Sequence, residues 1–100
     1  MPEIAVAVPH QLDQAEATRR LQHGAGVLKN TFSGHFSDLE ENWDGDAVQF
    51  AFKTFGMNVQ GKVTSEPSQV TVNLTLPLVA MMFKGKIEEQ IREQLGKILA

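Results

Sequence analysis

The sequence predicts an α+β fold: a two-layer sandwich whose five-stranded antiparallel sheet, in the order β-α-β-β-β-β-α, carries two helices on one face. Three observations predict it. Runs 46–54, 57–64 and 70–76 alternate apolar residues with Thr, Asn, Gln or other polar or small residues, the signature of a sheet covered on one side. The dipeptide Asp44-Gly45 separates two such runs and marks a tight hairpin. Two longer runs, 13–31 and 78–98, repeat apolar residues at helical spacing.

The elements follow in order. Ile4, Val6 and Val8 alternate with Glu3, Ala5 and Ala7, giving a short strand that Pro9 ends. Asp13 with Glu16 has the form of a capping box and starts the first helix. On a wheel, Ala17, Leu21, Ala25, Leu28 and Phe32 share one stripe, with Gly24 beside them. Residues 33–38 read as a loop. Strands at 39–43 and 46–54 flank Asp44-Gly45, which fits a type I′ turn with both central residues at positive φ. A second turn lies near Phe55-Gly56 and a third at 66–69. Pro77 ends the last strand. Five strands at ~4.8 Å give a sheet roughly 20–24 Å wide, which two helices of ~10 Å diameter are expected to cover.

In the last helix, Ala80, Phe83, Ile87, Ile91, Leu95 and Ile98 form the stripe expected to face the sheet. The start of that helix is apolar all round. Leu78 and Met82 fall opposite the stripe, and Val79 and Met81 on its flanks. Two readings are open. Either residues 77–81 are not yet helical and tuck under the sheet rim, or Leu78, Val79, Met81 and Met82 form an exposed patch that meets a partner or an apolar surface. Gly61 also stands out, because it interrupts an inward apolar row. It marks a bulge or close approach, or else a small void near Phe50, Phe52 and Val59 that admits an acyl chain.

Composition sets limits. One hundred residues, 42% of them hydrophobic and 21% charged, suit a single globular domain spanning 1–100. A net charge of −3 argues against nucleic acid or an anionic membrane as partner. The absence of cysteine removes disulfides, zinc-thiolate sites and cysteine nucleophiles, and fits a reducing cytoplasm. No run reaches the ~18–20 apolar residues of a membrane span, and the N-terminus lacks the features of a signal peptide.

No catalytic, cofactor or metal site is expected. His10, His23 and His35 lie thirteen and twelve residues apart, without metal-ligand spacing; a local backbone hydrogen bond is the expected role of His10. Ser33-Gly34-His35 lacks the nucleophile elbow. Asp38, Glu40, Glu41, Asp44 and Asp46 lack the spacing of a calcium loop and read as a solvated acidic hairpin. The outward sheet face, with Gln49, Ala51, Asn58, Gln60, Thr71, Asn73 and Thr75, is short of charge and is a candidate homodimer surface.

The stretches PHQLDQAEATRRLQ, WDGDAVQFAF, GKVTSEPSQVTVNLTLPL and FKGKIEEQIREQLGKIL together resemble the polyhydroxyalkanoic acid system proteins, over 3–32 and 43–99. The resemblance implies a bacterial, cytoplasmic, non-enzymatic protein that binds or regulates at polyester granules, touching the granule surface or a granule-associated protein. Known polymer synthases use a cysteine and hydrolase-type depolymerases a serine elbow, and this chain has neither. The competing expectation is a small acyl- or lipid-binding module, with a pocket between sheet and C-terminal helix lined by Phe50, Phe52, Val59 and Gly61.

Overall fold

The fold is taken from a computed structural model that describes residues 3–31 and 33–100. Phe32, placed by its spacing on the inward stripe, lies outside the described residues, as do Met1 and Pro2. The element order is β1 (Glu3–Pro9), α1 (Gln14–Thr31), β2 (Ser37–Asp44), β3 (Ala47–Thr54), β4 (Met57–Ser65), β5 (Gln69–Thr75), a 3₁₀ helix (Leu78–Phe83) and α2 (Lys84–Leu99). This is the expected α+β order. The sheet is antiparallel throughout, with spatial order β1-β5-β4-β3-β2.

Period-2 alternation sets the register. Ile4, Val6 and Val8 stand opposite Leu74, Val72 and Val70, so all six point to one face, and Val63 continues the row opposite Val72. Ile4, Val6, Val70, Val72, Leu74 and Leu76 are buried, with Ala17 and Leu21 from α1 and Leu95 and Leu99 from α2 packed into the same core. Gly24 brings the helices close: a β-carbon there would stand 2.7 Å from Cδ1 of Ile98.

The β2–β3 turn differs from the type I′ Asp44-Gly45 expectation by one residue. Asp44 pairs with Ala47, so the central residues are Gly45 and Asp46. Only Gly45 has positive φ, at 60°, the pattern of a type II′ turn. The reason is register: this pairing sets Trp43 opposite Val48, apolar against apolar, whereas the expected one sets Trp43 opposite Asp46. A β-carbon on Gly45 would touch nothing within 4 Å. Gly45→Ala is therefore expected to destabilise by about 1 kcal/mol through backbone conformation alone. An unchanged denaturation midpoint would contradict this. The type I′ turn is the next one, where Phe55 and Gly56 have φ of 52° and 75°.

The last helix also begins later than expected. Residues 78–83 form the 3₁₀ helix, and the α-helical phase starts only at Lys84. Phe83 is the junction, with φ −108° and ψ 18°. That break in phase carries Phe83 out of the inward stripe, so it is exposed rather than core. Ile87 and Ile91 pack against the core but are only half-buried.

Nor do the helices cover the whole sheet. Helix α2 lies mainly over β1, and α1 lies beside it, reaching β4. The β3–β2 side of the inner face keeps an apolar cleft of about 350 Å³ under α1, walled by Leu28, Trp43, Val48, Phe50 and Phe52 among others.

Candidate functional site

Chain direction sorts the connections to two ends of the sheet. Strands β1, β2 and β4 run one way and β3 and β5 the other. The β2–β3 turn, the β4–β5 turn and the entry to α1 therefore gather at one end. The β3–β4 turn, the exit from β5 and the 3₁₀ helix gather at the other.

The first end is polar and tied to itself. Leu12 N–H donates to Nδ1 of His10 at 3.1 Å, which leaves Nε2–H to donate to the Glu66 carbonyl at 3.0 Å. His10 thus makes the local backbone bonds expected of it and pins the α1 entry to the β4–β5 turn. Gln14 Nε2 donates to the Ser65 carbonyl at 2.8 Å, and Thr18 Oγ1 donates to Asp46 Oδ1 at 2.7 Å. Glu16 N–H donates to Asp13 Oδ1 at 2.8 Å. Only that half of the capping box forms, because Arg19 and Arg20 hold the Glu16 carboxylate. Hydrogen bonds from Thr71 and Gln69 hold the Glu66 carboxyl below the usual glutamate range. Every polar group in this network is serving the fold.

The acidic hairpin residues are likewise dispersed. Glu41 accepts from Lys29 at 2.7 Å across the mouth of the apolar cleft, and Asp38 pairs with Lys53 at 3.6 Å. Among the described residues, no group of three or more His, Cys, Asp or Glu converges as metal ligands. Ser33 and His35 are exposed in the α1–β2 loop, where the His35 carbonyl accepts from Thr54 Oγ1 at 2.6 Å.

The second end is different. Leu78 is 77% exposed, Val79 60%, Met82 81% and Phe83 60%. Only Ala80, with Met81 half-buried behind it, turns toward the core. Of the patch residues expected from sequence, Leu78, Val79 and Met82 stand in the open. Met81 packs inward instead, and Phe83 is outside the expected set. Both openings of the sequence reading hold a part: the segment is not α-helical, and its apolar side chains nevertheless face out. Lys84 and Lys86 follow at once in the first turn of α2, exposed and with no acidic residue in that turn. The helix dipole opposes positive charge there, so the fold gains nothing from their position.

The pocket expected near Gly61 does not form there. A β-carbon on Gly61 would stand 2.6 Å from Cζ of Phe50, 2.7 Å from Cδ2 of Leu74 and 2.8 Å from the Asn73 carbonyl oxygen. Gly61 is a close approach, already filled by its neighbours. Val59 is buried in the core. Phe50 and Phe52, stacked with ring centroids 6.1 Å apart, line the cleft on the β3 side instead. Neither Val59 nor Gly61 borders that cleft.

Sequence reasoning missed Phe55. It is 88% exposed at the tip of the β3–β4 hairpin, in the left-handed region. The signal was present: a Phe-Gly pair holds a two-residue turn where Asn-Gly is the ordinary choice.

Among the described residues, no helix is long and apolar enough to cross a membrane. No curated protein and no solved structure matches the chain. A family model does match, over residues 4–99, including the 33–42 segment that the sequence resemblance left out. Its description reads "Putative polyhydroxyalkanoic acid system protein". The chain belongs to that family of polyhydroxyalkanoic acid system proteins.

Proposed function

We propose that this chain is a non-enzymatic cytoplasmic protein that attaches to polyester granules through the apolar end of its sheet. Its contact residues are Leu78, Val79, Met82 and Phe83. The observation that carries the reading is their exposure within one six-residue 3₁₀ segment. A fold that buries Ile4 and Val6 to 1% has no internal reason to leave four large apolar side chains in water side by side. Membership of a polyhydroxyalkanoic acid system family supports the choice of polyester as the surface they would meet. Burying two or three of them contributes ~1.5–3 kcal/mol each before association costs. That is enough for reversible attachment, and it leaves the polar outer sheet face free for a second copy.

Met82→Glu tests this reading. The side chain points away from the core, so the variant is expected to fold with an unchanged denaturation midpoint. It is expected to lose sedimentation with isolated granules. Granule binding equal to that of the unaltered chain would overturn the proposal.

The cleft beneath α1 favours a second reading, an acyl- or lipid-binding module. Trp43, the single tryptophan, lines it and reports its occupancy. A saturable change in Trp43 fluorescence on adding a medium-chain fatty acid would support this reading. A flat titration would dismiss it.

A further inference from the structure

We propose that Phe55 is a second anchor of the same surface, so that the molecule meets a polyester granule end-on with its strands standing on it. This inference rests on the granule reading above. Its own support lies in the β3–β4 turn. Phe55 and Gly56 both adopt positive φ, a geometry that suits Asn or Gly and strains a phenylalanine. The ring gains nothing inside the protein in return, being 88% exposed. An unfavourable backbone position and an unburied aromatic ring coincide at one residue, and contact with something outside the chain accounts for both.

The topology says where that contact lies. Gln60 of β4 stands opposite Thr75 of β5. Past this pair, β4 continues back to the Phe55-Gly56 turn, while the chain beyond β5 enters the 3₁₀ helix. Both therefore project from the same end of the sheet. Six large apolar residues are strongly exposed among the described residues, and five of them, Phe55, Leu78, Val79, Met82 and Phe83, belong to this end. The sixth, Val27, lies on α1.

The chemistry of the end fits a polyester. Such a surface offers alkyl groups and ester carbonyl acceptors, with almost no hydrogen-bond donors. Residues 77–87 carry Lys84 and Lys86 and no acid, so the charged groups of this segment are donors only; of the acids that share this end, Glu3 accepts from Thr75 and Asp38 pairs with Lys53. The opposite end carries Asp13, Asp46 and Glu66, which accept hydrogen bonds within the fold.

Phe55→Asn separates the fold's interest from the surface's. Asn suits the left-handed turn, so the variant is expected to melt a few degrees higher. It is expected to bind particles of poly(3-hydroxybutyrate) roughly ten-fold or more weakly. Phe55→Trp is expected to retain binding. Loss of binding in Met82→Glu but full binding in Phe55→Asn would overturn the second anchor and leave the granule reading standing. Full binding in both variants would overturn the two together. Tighter association with phosphatidylcholine vesicles than with the polyester particles would overturn the choice of polyester as the surface.

Discussion

Ile4→Ala is expected to cost about 2–5 kcal/mol of folding stability, a large part of what a domain of this size has. Ile4 is 1% exposed and stands opposite Leu74 on the strand that α2 covers. Truncation opens a cavity at the centre of that contact, where a pleated sheet and a helix leave little freedom to collapse. Leu78→Ala removes as much hydrocarbon from a side chain that is 77% exposed. It is expected to leave stability within about 0.5 kcal/mol. Urea denaturation of the two variants checks the contrast. Equal losses would mean that the 3₁₀ segment is core, and the surface assigned to it would disappear.

Gly61→Ala is expected to destabilise by about 1–3 kcal/mol. Two of the atoms its new methyl group would meet are side-chain carbons of Phe50 and Leu74, which can shift. The third is the Asn73 carbonyl oxygen at 2.8 Å, part of the β4–β5 ladder and held in place. A void at this site would give the opposite result, since filling it with a methyl group stabilises. The denaturation midpoint of this one variant therefore decides between close packing and a pocket at Gly61.

Much of the fold was legible because its signals are local. Alternation in 46–54, 57–64 and 70–76 reads directly as strands with one buried face, and Asp13 with Glu16 announces the start of α1. The features that escaped depend on longer-range geometry. Dipeptide preference places the first hairpin turn at Asp44-Gly45, but the pairing of Trp43 with Val48 moves it one residue on. Helical spacing assigns Phe83 to the core. The phase of the chain breaks at that residue, and no spacing rule registers a 3₁₀ helix that ends there. The cleft beside Phe50 and Phe52 exists because α2 settles over β1 at one edge of the sheet. The apolar pattern of α2 says which side is buried and not which strand it lies on.

The candidate surface was legible to the same degree. An apolar run longer than one helical face needs drew attention to Leu78, Val79 and Met82, and these are exposed. Met81 was grouped with them because a 3.6-residue period sets it on the flank. In the 3₁₀ segment it turns to the core. Phe55 escaped because turn residues are read for backbone geometry, and its side chain matters only once the β3–β4 hairpin and the β5 exit are seen to share an end.

The central claim is that this end meets the granule, and methionine oxidation tests it on the unaltered chain. Met82 is 81% exposed, whereas Met57 and Met81 are half-buried. In free protein treated with dilute peroxide, Met82 is expected to form the sulfoxide faster than Met57 or Met81. On protein bound to polyester granules, its oxidation is expected to slow strongly. Protein that sediments with granules yet oxidises at Met82 as fast as it does in solution would contradict the account.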